Sequence, residues 1–361
     1  MNAVLPRVML VDDSLVARTV MAEHLRHAGC DVVAQATDPV QAWPLIQQLL
    51  PDVLVLDIDM PQLDGLSFLR QLMQHQACRV VMCSSLAVVG RPLAIQALAA
   101  GALAVVTKPG AGGCLPAAGR WIEELVAAVL EAAAARVSAV AISAPSRPKL
   151  KSPSDKPTHV AAGRILALGL STGGVQALTQ VLRGLAHVPA ASLPAAVVVQ
   201  HMPPGFTSSL AQQLQREHPH LRIDEARDGD LAVPGRVLLA PGDHHMRLGA
   251  AAPEGWTITL SQEAPVNFHR PAVDVLFESV ARHAGAKAIG VLMTGMGSDG
   301  AQGLLAMRRA GACTTVQDEA TCAVYGMPKA ALALRAADTA LPLQRVAAWI
   351  LERAARGVAT T

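Results

Sequence analysis

VMLVDDSLVARTVMAEHL, residues 8–25, holds four apolar residues, then an acidic pair, then an amphipathic run. Val8–Val11 predicts a buried strand, Asp12 and Asp13 its polar end, and residues 14–28 a helix. The same alternation recurs. Strands are expected at Val8–Val11, Val32–Gln35, Val53–Leu56, Val80–Cys83 and Ala104–Val106, and helices near 14–28, 38–50, 65–75, 91–100 and 119–136. Strand and helix alternating five times predict a parallel sheet covered on both faces. Asp38-Pro39 supplies an N-cap and a first-turn proline to the second helix, and Pro44 is expected to kink or shorten it.

Residues 138–162 gather Pro, Ser and Lys and lose apolar periodicity, which marks a linker. From 163 onward the α/β pattern resumes. Strands are expected at Ile165–Leu170, Ala195–Gln200, Val237–Ala240, Ile289–Thr294 and Thr314–Val316, helices near 173–183, 204–216, 272–284, 299–309 and 327–335, and a hairpin from Met246 to Ser261. The expected division is 1–130, a linker at 131–162, and 163–361.

Composition narrows the function. Hydrophobic residues form 52% and charged residues 16% of 361, so the chain can bury cores. Aromatics are only 2% and the net charge is +2, which leaves little for base stacking or for bulk attraction to phosphate. With no convincing helix-turn-helix pattern, a nucleic-acid-binding role is not expected. The basic excess is local: residues 126–161 carry 5 basic and 2 acidic side chains, whereas 1–125 carry 8 and 11. The six cysteines show no CxxC spacing and read as reduced thiols. No secretory segment opens the chain and no apolar run reaches membrane-spanning length, so a cytoplasmic protein without membrane insertion is expected.

In an open parallel sheet, ligands bind beyond the carboxyl ends of the strands. In the first half that edge receives Asp12, Asp13, Asp57, Ser84 and Lys108. Three converging carboxylates call for a cation, and an all-oxygen set suits Mg²⁺. A carboxylate beside a metal, a lysine and a hydroxyl is a fit acceptor for a phosphoryl group. VDDS (11–14), LVLDIDMP (54–61), DGL (64–66), MCSS (82–85) and TKP (107–109) resemble response-regulator receiver domains. That resemblance implies a flavodoxin-like sheet of order 2-1-3-4-5. It makes Asp57 the phosphorylated residue, Asp12, Asp13 and Asp57 the Mg²⁺ ligands, and Ser84 and Lys108 the phosphoryl-binding pair. Receivers often carry Tyr or Phe where this chain has Val105, which puts coupling through an aromatic rotamer in doubt.

In the second half, GLSTGG (169–174) ends a strand and opens a helix, placing Ser171 at a helix N-terminus. Read as a nucleophile elbow it requires an acid and then a histidine. Asp274 and His283 have that order but share one expected helix. A phosphate loop lacks its lysine. The better constellation joins Ser171 to His201, after VVVQ, and to Asp299, in TGMGSDG, all at expected strand ends. His244-His245 invites zinc, but adjacent strand residues face opposite ways and no further ligand supports it. His269-Arg270 suits either a contact with acidic side chains of a partner or a surface role at a helix start.

LGLSTGG, VVVQHMPPGFT, LLAPGDHHM, NFHRPAVDVLF, GVLMTGMGSDGA and VYGMPKAAL resemble the protein-glutamate methylesterase family of bacterial chemotaxis. The resemblance implies a second doubly wound, mostly parallel α/β domain. It implies hydrolysis of glutamate methyl esters on methyl-accepting chemoreceptors, with deamidation of receptor glutamines beside it, and no cofactor for that chemistry. Ser171 becomes nucleophile, His201 base and then acid, and Asp299 the residue orienting the imidazole. An oxyanion hole is expected near the backbone N–H groups of His201 and Met296, with Thr172 in support. A chemotaxis histidine kinase is the implied phosphodonor, and phosphorylation of Asp57 is expected to relieve inhibition by the first domain. The competing reading is a non-enzymatic signalling module, which would have no use for an intact Ser/His/Asp set.

Overall fold

The structure is a computed structural model that describes residues 5–60, 64–76, 78–85, 90–108, 115–135 and 163–355. Pro61, Cys114, Pro109 and the linker residues 136–162 lie outside the described residues. Contacts divide the chain into two units, Met1–Ile142 and Ser143–Thr361.

The first unit runs β1 (Arg7–Val11), α1 (Leu15–His27), β2 (Asp31–Ala36), α2 (Pro39–Leu49), β3 (Val53–Asp57), α3 (Gly65–His75), β4 (Arg79–Ser85), α4 (Gly90–Ala100), β5 (Ala104–Lys108) and α5 (Leu115–Ala134). Its five strands are parallel in the order β2-β1-β3-β4-β5, as expected. β3 is buried along its whole length, which is why it reads as an unbroken apolar run before Asp57. Ser14, Asp38 and Asp64 cap α1, α2 and α3, each accepting a backbone N–H of the first turn. α2 is not shortened by Pro44, which lies inside it, and continues to Leu49. Val40, whose carbonyl loses its helical partner to that proline, is 74% exposed and stands where water can replace it.

The second unit continues β6 (Ile165–Leu170), α6 (Gly174–Leu185), β7 (Ala195–Gln200), α7 (Phe206–Glu217), β8 (Arg222–Glu225), β9 (Leu231–Ala232), β10 (Arg236–Leu239), β11 (His245–Ala252), β12 (Gly255–Ser261), α8 (Val273–Ala284), β13 (Ala288–Leu292), α9 (Ala301–Arg309), β14 (Cys313–Gln317), α10 (Met327–Ala333), β15 (Thr339–Leu341) and α11 (Leu343–Ala355). Seven parallel strands form the sheet β15-β14-β13-β6-β7-β10-β8, and the expected hairpin, β11 with β12, joins β9 in a small antiparallel sheet. The reading missed β8, β9, β15 and α11.

The central strands β13, β6 and β7 are fully buried and end side by side. Gly169 on β6 is what lets α8 approach that edge: a Cβ there would lie 2.3 Å from Val273 Cγ1. The first turn of α8 is thereby brought over the strand ends. Phe277, Leu276 and Val280 of the same helix fill the core beneath.

Candidate functional site

At the edge of the first sheet, one ligand oxygen from each of Asp12, Asp13 and Asp57 falls within 4.8 Å of the others. Asp12 and Asp57 are buried and Asp13 is exposed. Lys108 Nζ lies 2.5 Å from Asp12 Oδ2 and 2.8 Å from Asp57 Oδ1. Burial pushes the Asp57 carboxyl up to about 6, although Lys108 pulls the other way. Burial works against the charge on Lys108, yet Asp57 and Asp12 outweigh it and raise its pKa. Ser84 Oγ is buried with no hydrogen-bond partner. Ser84 follows Cys83, which pairs with Asp57 across β3 and β4, so this donor without an acceptor stands at the same carboxyl edge of the sheet. The five expected residues share one sheet edge, and their donor set fits a divalent cation with an incoming oxyanion. Val105 is partly buried on β5, opposite Met82.

In the second unit, β6 and β7 pair Leu170 with Gln200, so Ser171 and His201 follow each other off neighbouring strands, about 5 Å apart in backbone. Ser171 is fixed by its backbone. Its N–H donates to Thr294 O (3.0 Å), and its carbonyl accepts from Gly174 N–H (2.8 Å) and Gln200 Nε2 (2.8 Å). Three strand ends and a helix start thus hold the serine.

His201 Nε2 lies 2.8 Å from Asp299 Oδ2, with both side chains almost fully buried. Asp299 also accepts from the backbone N–H groups of Val273 (2.6 Å) and Asp274 (3.1 Å) in the first turn of α8, and from Asn267 Nδ2 (3.0 Å). Burial would raise the Asp299 pKa, but the bond and charge of His201 and the donors of Asn267 and Val273 reverse this and lower it. The carboxylate is therefore held ionised. It fixes the imidazole proton on Nε2 and leaves a lone pair on Nδ1, an atom that is buried and without a hydrogen-bond partner.

Two residues outside the expected set complete this arrangement. His269 stacks on His201, ring centroids 3.8 Å apart and 13° from parallel. Burial and the neighbouring His201 push its pKa down to about 4, so it is neutral at pH 7. Asn267 bridges Asp299 to Asp274 Oδ2 (2.8 Å). Asp274 is buried beneath them, accepts Gly303 N–H at 2.7 Å, and has its pKa raised by burial. In the sequence Asn267 stands only within the motif NFHRPAVDVLF, and His269, read there as a partner contact or a surface residue at a helix start, instead lies stacked on His201.

The other residues singled out in the sequence are placed as follows. The N–H of His201 donates to Leu170 O at 3.0 Å and is already engaged, so it cannot serve an oxyanion as expected. Met296 follows Gly295, whose N–H and carbonyl are tied to Val324 and to Gly326 and Met327, so the loop bearing it is anchored. Thr172 O accepts from Thr294 Oγ1 at 2.9 Å. Asp274 and His283 stand at opposite ends of α8, which removes the elbow reading. His244 sits in the turn before β11 rather than on a strand. His245 is fully buried, bonded to Ala264 O (3.1 Å) and Ala272 N–H (3.2 Å), and belongs to the core. Arg270 is taken by Asp243 at 2.5 Å.

The family model for CheB methylesterase matches residues 166–350, and the response regulator receiver domain model matches 8–118. The chain is 46% identical over 355 residues to a protein-glutamate methylesterase/protein-glutamine glutaminase of Pseudomonas aeruginosa, covering 97% of each chain. It is 42% identical over 363 residues to one from Salmonella typhi, covering 98% of each. Among solved structures, the CheB methylesterase catalytic domain of Thermotoga maritima is 37% identical with a TM-score of 0.49, over 53% of this chain and 99% of that one. With the strand order and the Ser, His and Asp edge described above, the two family models and the two full-length relatives show that the chain belongs to the CheB methylesterase family and carries a response-regulator receiver domain.

Proposed function

We propose that this chain hydrolyses glutamate methyl esters on bacterial chemoreceptors, releasing methanol, and deamidates receptor glutamines, under control of phosphorylation in its receiver domain. The observation that carries the reading is the buried 2.8 Å contact between His201 and Asp299, with Ser171 and His201 each following one of the paired residues Leu170 and Gln200 at adjoining strand ends.

In this reading Ser171 Oγ attacks the ester carbonyl of the substrate glutamyl while His201 Nδ1 takes its proton. The tetrahedral centre collapses, and the departing methoxide takes that proton from Nδ1 to leave as methanol. Water then attacks the acyl-Ser171 ester, again giving its proton to Nδ1, and Ser171 leaves as the alcohol. With a glutamine substrate, ammonia replaces methanol. Asp299 stays ionised throughout and balances the imidazolium that forms beside it. Met296 N–H and Thr172 are the supporting contacts for the oxyanion.

We assign Asp57 as the phosphoryl acceptor, with Ser84 and Lys108 binding the transferred oxygens. Asp12, Asp13 and Asp57 would hold Mg²⁺, which when bound neutralises charge on the transferring group. A chemotaxis histidine kinase is the proposed donor, and methyl-accepting chemoreceptors, through their cytoplasmic helical region, are the proposed substrate. The proposed division is a receiver at 1–130, a linker at 131–162 and a catalytic part at 163–361. A cytoplasmic location belongs to the same proposal; among the described residues no helix is long and apolar enough to cross a membrane.

The test is methanol release from methylated receptor by the wild-type chain and by Ser171→Ala. Release by the wild type alone supports the reading; equal rates remove it.

A further inference from the structure

Phe268 is completely exposed, at 101% of its reference area, one residue from each of two side chains that hold the site. Asn267 before it bonds Asp299, and His269 after it stacks on His201. The backbone here is a two-residue turn: Val266 N–H donates to His269 O at 3.1 Å, and His269 N–H donates to Val266 O at 2.9 Å. Both central residues are left-handed, Asn267 at φ 51° and Phe268 at φ 66°. Such a turn suits asparagine first and glycine second, whereas a bulky side chain at the second place is strained. The free protein gains neither packing nor relaxed backbone from a phenyl ring at this tip.

The surrounding exposure follows the same pattern. Among the described residues of the second unit, the exposed large hydrophobic residues are Val266, Phe268, Met296 and Leu334. Val266 and Phe268 flank Asn267, and Met296 lies three residues before Asp299, which Asn267 bonds at 3.0 Å. Exposed apolar side chains gathered at one site mark a contact surface. Whatever covers Phe268 must sit at the rim of the His201 and Asp299 pair, and that is where a substrate lies during reaction.

We propose that Phe268 is a substrate-docking residue: its ring packs against an apolar side chain one helical turn from the reacting glutamyl, on the same face of the substrate helix. Residues three or four apart on a helix lie side by side, so an apolar neighbour at that spacing reaches the ring while the glutamyl reaches Ser171. This inference rests on the proposed methylesterase reading and names the feature of the substrate that the site selects.

The experiment uses the full chain with Phe268→Ala, Phe268→Asn and Phe268→Leu, measuring methanol release from methylated receptor, hydrolysis of p-nitrophenyl acetate, and Tm. Losing one apolar contact of this size lowers the ratio of receptor kcat/KM to small-ester kcat/KM about tenfold in Phe268→Ala and Phe268→Asn, mainly through KM. Phe268→Leu stays within about threefold of wild type. Phe268→Asn keeps or raises Tm, since asparagine tolerates the left-handed conformation, which separates docking from folding. Unchanged receptor kinetics in Phe268→Ala overturn the proposal. So does an equal fall for both substrates, which would make Phe268 a support of the turn, or a gain in receptor turnover without phosphodonor, which would make the first unit the occupant. Absence of methanol release from the wild type defeats the methylesterase reading instead and is recognised separately.

Discussion

His201 turns Nε2, not Nδ1, toward Asp299: the Nε2 to Oδ2 distance is 2.8 Å, while Nδ1 is buried without a hydrogen-bond partner. The ring is clamped as well as oriented, since His269 lies flat against it at 3.8 Å. An imidazole whose Nε2 faces a carboxylate and whose Nδ1 is left without a partner is oriented before any substrate arrives.

Every contact to Asp299 given above is a donor: His201 Nε2–H, two backbone N–H groups of α8, and Asn267 Nδ2. Asp299→Asn must turn its own NH₂ toward one of them. We expect turnover to fall about 10⁴-fold, as for orienting carboxylates in comparable triads, with about 1–3 kcal/mol lost in stability. Ser171→Ala and His201→Ala should each cost about 10⁶-fold in kcat. Methanol-release kinetics with urea unfolding of each variant measure both effects. An Asp299→Asn variant of wild-type activity would end the assigned role.

His269 titrates near 4 in the fold against an ordinary value of 6.5, because burial and His201 oppose its charge. Between those values the unfolded chain binds one more proton than the native chain at this residue. The His269 contribution to stability is therefore complete above about 6.5 and is lost as pH falls toward 4. Unfolding free energies from pH 7 to 4 should decline more steeply in the wild type than in His269→Phe, which keeps the stacked ring without the titration. A His269 ring resonance that titrates near 6.5 by NMR would contradict this.

What could be read in advance follows from where the signal lies. In the first unit every strand is a short apolar run, so all ten elements were legible, while the strand order came from the resemblance to receiver domains. β8 (RIDE) and β15 (TAL) escaped because each is a sheet edge of four or three residues with little buried surface. α11 carries Val346, Trp349, Ile350 and Ala354 at helical spacing, a signal that lies beyond the strand and helix alternation ending near 335. Ser171 and His201 were legible as polar residues terminating apolar strands, and Asp299 as the acid in a loop between a strand and a helix. Asn267 was not, since its meaning depends on a contact across 32 residues to Asp299, and His269 stood out only as a partner contact or surface residue because its stacking on a ring from another loop has no local signal. Which imidazole nitrogen meets the carboxylate has no sequence signature.

In the receiver unit, Asp57→Asn removes the acceptor carboxylate while keeping its size. The rise in methanol release that a small phosphodonor such as acetyl phosphate gives with Mg²⁺ should disappear, and basal release should stay within about twofold. Lys108→Ala should weaken the response without abolishing it, because Asp57 loses the cation 2.8 Å away but keeps its nucleophile. Phosphate incorporation and methanol release measured together check the pair. Full stimulation of Asp57→Asn would place the switch elsewhere.

Gly295 offers a test of how closely Ser171 must be placed. A Cβ at 295 would fall 2.3 Å from Met327 Sδ and 2.6 Å from Ser171 Cβ. Met327 is a flexible side chain and can retreat, whereas Ser171 is fixed by backbone bonds to Thr294, Gly174 and Gln200. Gly295→Ala must therefore displace either the serine or the Met296 loop. Misplacing a reacting group by about 1 Å costs about 10²-fold in rate, while overpacking costs about 1–3 kcal/mol in stability. Methanol release should fall about 10²-fold in a protein that still unfolds cooperatively. Gly311→Ala, whose Cβ would meet nothing closer than 3.4 Å, serves as the control for a glycine replacement strained only by its backbone. If Gly295→Ala loses no more activity than that control, the packing of Gly295 against Ser171 does not set the position of the nucleophile.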